Sequence, residues 1–519
     1  MLRAPATTAS VIETPLVPSV TGRLRQWLSQ PDNQLLLLLL LAVFPLYYEL
    51  GRTPIQLWDE SRMAVNAAEM ARDGHWLVPH FDGTPDHWNT KPPLLIWLEA
   101  LSLRAFGLST LALRLPTLVA TMATVVLLFR FAARVLHQPL AGFFGSIVLV
   151  TCLGYVRLHV ARTADYDALL TCWQALLWTQ FFQYLETGAR RHLVWAALAV
   201  LAGTLTKGPA GLLGLPGLLV YAIVRGKLLW LLRQPGVYVA AAGWLAIVSG
   251  YFVGREAIDP GYWRAVQDND LGGRFLTAIE GHSASWTYYL ENITTILFSQ
   301  WLWAVAPAAV LIWLQPAGIV RRASWLLLLF VIGWLTVISI AKSKLEWYDA
   351  PIYPALALLV GLGLAILYQN LLSIYLPRMG YLGGWLLRIG LFITLFYGGY
   401  HTVARQLIEE RHSDFGAGSN GYLGRYVTTM AHAQPQITDV LLLTDGSYYA
   451  VLQYYRMEFE QKAGRHLAFG QGKVVRKLPV GQVVISCDPA YRAALDSTFH
   501  VAELHQEGTC QTLLLLDRR

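Results

Sequence analysis

Eleven apolar runs, each about long enough to cross a bilayer, constrain this 519-residue chain more than any other feature. Only 14% of its residues are charged and 55% are hydrophobic, which excludes a disordered chain, a coiled coil and an ordinary soluble enzyme. The sequence therefore predicts a polytopic α-helical membrane protein with about 11–13 transmembrane helices. The eleven runs lie at 35–50, 112–135, 139–156, 166–186, 192–206, 208–225, 236–254, 291–314, 324–341, 349–369 and 385–401.

Arginine-rich loops between these runs predict the topology. By the positive-inside rule they should face the cytoplasm together with the N-terminal segment 1–33. That is consistent only if the apolar stretch 93–106, which is too short to span at 1.5 Å per residue, does not change sides. We therefore expect a re-entrant or interfacial helix there, or one member of a pair of segments that crosses the membrane and returns. The arginine clusters lie at 130–134, 190–191, 225–233 and 321–322.

The same topology places every loop with unusual chemistry on the outer face. These loops are 51–92, 157–165, the turn at Lys207, 255–290 and 342–348. The transmembrane domain is predicted to occupy 34–401, with 51–92 as its principal outer loop.

The tail 402–519 differs in composition and is predicted to be a small extracytoplasmic α/β domain. Strand-like runs at Val440–Thr444, Val483–Ser486 and Leu513–Leu516 are separated by Gly/Asp turns. Cys487 and Cys510 would lie in an oxidising compartment, where a disulfide between them is one of two open alternatives.

The net charge of +7 does not indicate nucleic-acid binding. Membrane proteins carry excess Lys and Arg in their cytoplasmic loops, and the chain has no basic run or nucleic-acid motif. The four cysteines form no Cys-x-x-Cys pair, so no zinc or thioredoxin signal is present.

Two adjacent carboxylates, Asp59 and Glu60, follow the first apolar run directly. One interpretation is structural, because Asp before the helical stretch Ser61–Asp73 is a common N-cap. The other is catalytic, because a carboxylate at the membrane surface can take a proton from an acceptor hydroxyl or amine.

Three further outer segments carry charges that are costly near lipid. Asp165 and Asp167 open a span, where either could face a cavity or cap the helix. Lys207 joins two apolar segments, where it could meet a lipid phosphate or extend to the interface. Lys342, Lys344 and Tyr348 precede a late span, and cations on this side are hard to explain by topology alone.

The motifs around these residues resemble a known family. The Asp-Glu pair is followed by Gly-x-Trp-x-x-Pro at 74–79, Lys-Pro-Pro-Leu at 91–94, Phe106-Gly107 and Ala-Leu-Arg-Leu-Pro at 112–116. This order resembles the GT-C membrane glycosyltransferases. Within them it is most similar to the dolichyl-phosphate-mannose–protein mannosyltransferase-like enzymes and the lipid A aminoarabinose transferases.

The resemblance implies transfer of a sugar, with inversion, from a polyprenyl-phosphate donor to a lipid, glycan or protein acceptor on the outer face of the cytoplasmic membrane. Asp59 would act on the acceptor, with Glu60 and Asp165 or Asp167 shaping the acceptor side; Asp167 is the preferred alternative. The residues expected to hold the donor phosphate are Arg62, Lys91, Lys207, Arg274, Lys342, Lys344 and Tyr348.

One position departs from the family pattern. The lipid A enzymes carry a carboxylate just before the Lys-Pro motif, where this chain has Thr90. The case for a metal site at the equivalent position is therefore weaker. No cofactor is assigned, and a divalent metal stays an open alternative. The expected partners are the sugar donor, its acceptor and membrane lipids. The alternatives are a transporter or flippase of a lipid-linked or anionic solute, and a non-catalytic membrane scaffold.

Overall fold

A computed structural model describes residues 26–27, 29–271, 283–412, 418–446 and 449–519. Each of the eleven predicted apolar runs coincides with a helix or a pair of helices. Their bounds are Pro31–Tyr47, Thr110–Arg130, Pro139–Val150, Tyr166–Thr187, Arg190–Lys207, Leu215–Val224, Pro235–Ile258, Tyr288–Asn292 with Ser299–Trp313, Ile319–Ile340, Tyr353–Tyr375 and Tyr381–His412.

Six helical segments in the described part of the chain are long and apolar enough to cross a membrane. The segments Tyr288–Leu297 and Ser299–Trp313 meet at a bend of 104° and would give a seventh span if they act as one. Three shorter apolar helices, Pro31–Tyr47, Pro139–Val150 and Leu215–Val224, accompany them. The chain is an integral membrane protein; its division into eleven full spans stays a prediction.

The helices Pro139–Val150 and Tyr353–Tyr375 approach each other closely through glycine residues. A methyl group added at Gly361 would collide with the backbone of Gly145, and one added at Gly145 would press on Ala357 and Leu358. Small residues permit this approach, and van der Waals contact between backbones is a main source of helix association in lipid.

Shorter elements build the segment that was predicted to be the principal outer loop and the short helix after it. The helix Asp59–Asp73 is followed by the hairpin strands β1 (His80–Phe81) and β2 (Thr84–Pro85), and then by the helix Leu94–Phe106. The predicted short helix at 93–106 is therefore present, whereas its placement as re-entrant or interfacial stays a prediction.

The tail contains a five-stranded mixed sheet. Its strands are β3 (Asp439–Thr444), β4 (His466–Gln471), β5 (Val483–Ser486), β6 (Phe499–Glu507) and β7 (Cys510–Arg518), in the order β4-β3-β5-β7-β6. Strand β3 pairs in parallel with β4 and β5, while β7 is antiparallel to β5 and β6.

The three predicted strands coincide with β3, β5 and part of β7, which confirms an α/β tail domain. Its helices are Gly418–Ala433, Ala450–Glu460 and Pro489–Thr498. Cys487 and Cys510 form a disulfide between the end of β5 and the start of β7. The helix Tyr381–His412 runs through the expected boundary at 402, so that boundary stays a prediction.

The tail domain packs on the segment 51–108 through its helix Ala450–Glu460. The backbone N–H of Ile55 donates to the Tyr455 hydroxyl at 3.1 Å, and the Gln453 amide donates to Asp82 at 3.0 Å. At the end of the helix, the Gln461 amide bonds both the N–H and the carbonyl of Leu108. These contacts hold the tail beside the segment that carries Asp59 and Glu60.

Candidate active site

Asp59 begins the helix Asp59–Asp73, and a strained residue precedes it. Trp58 occupies the N-cap position with φ of 71°, which bulky side chains rarely adopt, and its side chain makes no capping hydrogen bond. Such strain persists only where surrounding structure imposes it, and it clusters at functional sites. Asp59 is thus the first helical residue rather than the cap that one sequence interpretation expected.

Asp165 lies opposite Asp59 and does cap a helix. It is the N-cap of Tyr166–Thr187, and its Oδ1 accepts from the backbone N–H of Tyr166 at 2.6 Å. Its other oxygen lies 2.6 Å from Nδ1 of His159. The His159 ring stacks on Trp347 with ring centroids 3.6 Å apart. The backbone of His159 is also strained, with φ of 63°. Capping and the contact with His159 therefore fix Asp165 in one orientation.

Asp59, His159 and Asp165 form one cluster. One ligand atom from each lies within 4.8 Å of the others, so a carboxylate–imidazole–carboxylate set of this kind could hold a divalent cation. Burial raises the pKa of Asp59 and the charge of Asp165 raises it further. Burial alone would lower the pKa of His159, but its hydrogen bond to Asp165 raises it above the ordinary value.

Glu60 points away from this cluster into a buried hydrogen-bond network. Its two oxygens accept from Arg114 at 2.6 and 2.9 Å, and also from the backbone N–H groups of Gln56 and Ala164 at 2.8 Å each. Both side chains of the ion pair are 1% exposed. Because Ala164 precedes Asp165 and Glu60 follows Asp59, this carboxylate joins the two segments that carry the cluster.

Asp167 faces the other way, towards Lys207. The Lys207 ammonium donates to Asp167 Oδ2 at 2.5 Å and lies 4.9 Å from the centroid of the Tyr348 ring. Asp165 and Asp167 are only two positions apart but point in different directions. Asp165 lies beside Asp59, and Asp167 lies beside Lys207.

Lys207 and Asp167 line a cavity of about 160 Å³. Most of its lining is apolar, from the helices Tyr166–Thr187 and Ile319–Ile340 and the segment 209–213, and charged and polar side chains complete it. A charged headgroup joined to a hydrocarbon chain matches this combination. The polar lining residues are Lys91, Asp167, Lys207, Asp270, Ser343 and Tyr348.

The remaining predicted cations lie outside this lining. Arg62 binds Asp86 in a bidentate pair at 2.9 and 2.8 Å and stacks over Phe81. Lys344 donates to the Ala341 carbonyl at 2.6 Å, and Lys342 is exposed. The structure thus brings Lys91, Lys207 and Tyr348 together and gives Arg62 a separate partner. Arg274, together with the loop histidine His282, lies outside the described residues.

Position 90 shows how the chain handles the missing carboxylate. The Thr90 hydroxyl donates to Oδ2 of Asp270 at 2.6 Å. A neutral hydroxyl that is already engaged as a donor does not supply the anionic oxygen that a cation prefers. A metal site built on residue 90 therefore does not fit this chain, whereas the cluster of Asp59, His159 and Asp165 has suitable ligands.

Two site residues were not predicted from the sequence. His159 lies six residues before Asp165, and a titratable side chain so close to a candidate carboxylate was the available signal. Asp270 lies four residues before Arg274. Nothing in the local sequence indicated that Asp270 would line the cavity.

The chain is similar to several known proteins. Residues 90–252 match the family model described as dolichyl-phosphate-mannose-protein mannosyltransferase. A protein of Pseudomonas fluorescens named undecaprenyl phosphate-alpha-4-amino-4-deoxy-L-arabinose arabinosyl transferase 1 is 31% identical over 62% of this chain. Its namesake from Pseudomonas aeruginosa is 29% identical over 62%. Each alignment covers 58% of the relative's length, so the chain matches just under three fifths of these proteins.

The crystal structure of ArnT from Cupriavidus metallidurans bound to undecaprenyl phosphate superposes with a TM-score of 0.65. At 18% identity, the superposition covers 95% of this chain and 98% of that protein. The chain has the GT-C fold. The resemblance to GT-C glycosyltransferases, and among them to the lipid A aminoarabinose transferases, is thereby confirmed. Since the structural match extends through the tail, the GT-C fold here includes both the helical bundle and the sheet domain.

Proposed function

We propose that the chain is a GT-C glycosyltransferase that moves a sugar from a polyprenyl-phosphate donor to a lipid, glycan or protein acceptor, with inversion. The observation that carries this proposal is the cavity beside the Asp59 cluster. Lys91, Lys207 and Tyr348 line this cavity together with apolar side chains such as Leu170, Leu213 and Val337. A phosphate with a polyprenyl tail is amphipathic in the same way.

In the proposed reaction, Asp59 takes the proton from the acceptor nucleophile. The nucleophile then bonds to the anomeric carbon of the sugar as the bond from that carbon to the phosphate oxygen breaks. Negative charge develops on the leaving polyprenyl phosphate, where Lys91 and Lys207 are already placed, and fixed cations of this kind lower the barrier. The raised pKa of Asp59 makes its carboxylate a stronger base than a solvated one.

The other carboxylates have positioning roles in this proposal. Asp165 and His159 hold the acceptor side of the site in one geometry. Glu60 is a positioning residue rather than a catalytic one, because Arg114 and two backbone N–H groups occupy its oxygens. Asp167 aligns the Lys207 ammonium at the donor end.

We also propose that the site and the tail domain lie outside the cytoplasmic membrane, on the periplasmic or exterior side. The Cys487–Cys510 disulfide supports this orientation, since disulfides persist in oxidising compartments. The tail packs on the outer loops, so site and tail share one face.

A transporter is the second candidate considered from the sequence. It would need functional charges near the bilayer midplane and paired broken helices. The charged groups here lie instead at the ends of helices, with Asp59 and Asp165 at two N-termini and Lys207 at a C-terminus. Their position at one face favours chemistry at the interface over passage through the bundle.

The test compares purified wild type with Asp59→Asn and Asp73→Asn. Asp73 ends the same helix and pairs with its neighbour Arg72 at the surface, so it is a matched control. Each protein is incubated with a panel of undecaprenyl-phosphate sugars and an envelope extract, and loss of each sugar lipid is followed by mass spectrometry. We expect donor consumption by wild type and Asp73→Asn, and a loss of at least about 100-fold in Asp59→Asn.

Equal consumption by all three proteins would remove Asp59 as the base and shift that role to Asp165. Absence of both donor binding and donor consumption in folded wild-type protein would overturn the glycosyltransferase proposal.

A further inference from the structure

A second cavity, of about 560 Å³, lies between four helices of the bundle. Its described lining residues include none that line the donor cavity. A smaller apolar groove of about 240 Å³ continues it, and the two share Leu41 and Phe392. Together they form what is called here the Arg388 groove, after a residue of its lining. Its walls come from the helices Pro31–Tyr47, Pro139–Val150, Tyr353–Tyr375 and Tyr381–His412.

The Arg388 groove begins at the helix ends that are remote from Asp59. The first helix contributes Gln34, close to its start, whereas its other end leads into the segment 51–108 that carries Asp59. Arg388 lies seven residues, or about 10 Å, from the start of the helix Tyr381–His412. The opposite end of that helix leads to the tail domain, which packs beside Asp59. The cation of the groove is therefore on the side of the bundle away from the active site.

Arg388 is the one charged residue among the lining residues that the structure describes for this groove. Its Nη1 donates to the Gly384 carbonyl at 3.1 Å, and its own carbonyl accepts from the Tyr368 hydroxyl at 3.3 Å. A guanidinium has five N–H donors in a planar fork that matches a phosphate, so one bond to a carbonyl uses a fraction of its capacity. Charged side chains within spanning helices are costly in lipid and mark functional sites. An anionic headgroup would offset this charge.

Aromatic side chains build the apolar part of the Arg388 groove. The ring centroids of Phe144 and Phe396 lie 4.8 Å apart. The Tyr400 hydroxyl donates to the Leu41 carbonyl at 3.2 Å and ties the first helix to the last one. From Arg388 to Tyr400 the helix rises about 18 Å, which is close to the ~15 Å hydrocarbon depth of one leaflet. The groove thus has the length of one acyl chain, with a cation near its start.

We propose that the Arg388 groove binds an anionic phospholipid of the leaflet opposite the active site. Arg388 pairs with the phosphate, and one acyl chain lies along the helix Tyr381–His412 towards Tyr400. Basic pockets between transmembrane helices bind anionic lipid headgroups in this way. Few of the described residues in this helix are buried, so a bound lipid would stabilise its docking on the bundle. This inference does not depend on the proposed glycosyltransferase function.

The test measures lipid binding to delipidated protein in detergent by native mass spectrometry. The two lipids are phosphatidylglycerol, which is anionic, and phosphatidylcholine with the same acyl chains, which is zwitterionic. Wild type is compared with Arg388→Met. The control is Arg378→Met, because Arg378 lies just before the same helix and is exposed. Monodispersity verifies that each variant is folded.

A second variant, Ile389→Trp, narrows the Arg388 groove without touching its charge. Ile389 lines the groove and is 49% exposed, so a larger apolar side chain can be accommodated there. This variant keeps the inference testable if Arg388→Met does not fold.

We expect wild type to prefer phosphatidylglycerol, and Arg388→Met to lower the affinity for that lipid by about ten- to hundredfold. Arg388→Met should then bind the two lipids alike, and Arg378→Met should behave as wild type. Ile389→Trp should lower the affinity for both lipids. Phosphatidylglycerol should also raise the melting temperature of wild type, and should not raise that of Arg388→Met.

Equal binding of the two lipids by wild type would indicate annular contact only and would overturn the inference. So would a preference that persists in Arg388→Met, or an unchanged affinity for phosphatidylglycerol in Ile389→Trp. If undecaprenyl phosphate displaces phosphatidylglycerol and binds more tightly, the groove belongs to a polyprenyl phosphate instead. If binding appears only after deletion of residues 1–25, the groove belongs to that segment of the chain, and the inference is wrong.

Discussion

Arg114 and Glu60 form a fully buried bidentate ion pair, with N–O distances of 2.6 and 2.9 Å. The guanidinium also donates to the carbonyls of Leu50, Thr53 and Pro54, and to the Thr53 hydroxyl. This one pair therefore ties the end of the first span to the segments that carry Asp59 and Asp165.

Replacing Glu60 by Gln should destabilise the protein by about 3 kcal/mol, because it leaves the Arg114 charge buried without its partner. Arg114→Met should have a similar effect for the reciprocal reason. Thermal unfolding in detergent, followed by the loss of monodisperse protein, measures both. A Glu60→Gln variant with wild-type thermal stability but no donor turnover would restore the catalytic role that the sequence motif predicted for Glu60.

Lys207→Met should lower kcat/KM for the polyprenyl-phosphate donor by about ten- to hundredfold, since the leaving phosphate loses a charge-assisted contact. Asp167→Asn alone should reduce thermal stability, because it leaves the Lys207 ammonium unpaired. The double variant should recover stability but not turnover. Recovery of turnover in the double variant would contradict a donor-phosphate role for Lys207.

Replacing Cys487 and Cys510 by Ser should destabilise the tail domain by about 3 kcal/mol, since the disulfide closes a loop between residues 23 positions apart. In intact cells, a maleimide–polymer gel shift should label neither cysteine until the protein has been reduced. Labelling of both without reduction would place the tail in the reducing cytoplasm. The buried Cys152 and Cys172 can be replaced first to simplify the readout.

Glu458 should make the stability of the tail domain depend on pH. Burial raises the pKa of Glu458 from 4.5 to about 7, partly offset by a hydrogen bond with Thr428. Its stabilising contribution is fully present below about pH 4.5 and is lost as the pH rises through about 7. Glu458→Gln should therefore raise the melting temperature at about pH 8 and change it little at about pH 4. The same shift at both pH values would contradict this assignment.

The helical architecture was largely predictable because apolar runs of membrane-spanning length leave the backbone few alternatives. Every predicted run coincides with a helix or a helix pair, and the short helix before Phe106 is also present. The tail was harder to predict. Strands β4 and β6 were missed because β4 has an apolar stretch of only three residues, at 467–469, and β6 carries polar side chains at alternating and adjacent positions.

The sequence indicated which charged residues to consider for the site, but only partly which of them contact one another. Asp59 and Asp165 lie in one cluster, while the predicted residues Asp167, Lys91, Lys207 and Tyr348 line the cavity; their catalytic and binding roles stay predictions. Arg62 and Glu60 were predicted to act in the site, but each has a partner elsewhere. Arg62 binds Asp86, and Glu60 binds Arg114. Nothing local in the sequence separates a carboxylate facing a cavity from one facing a buried arginine.

The sequence by itself determined that the chain is a helical membrane protein and which loops hold its charged residues, because hydrophobicity and span length act locally along the chain. Only the tertiary structure decided that His159 joins Asp59 and Asp165, and that Asp270 takes a place at Thr90 in the donor cavity. These contacts join segments up to 180 residues apart. The packing of the helices brings such segments together, so no local pattern records which residues will meet.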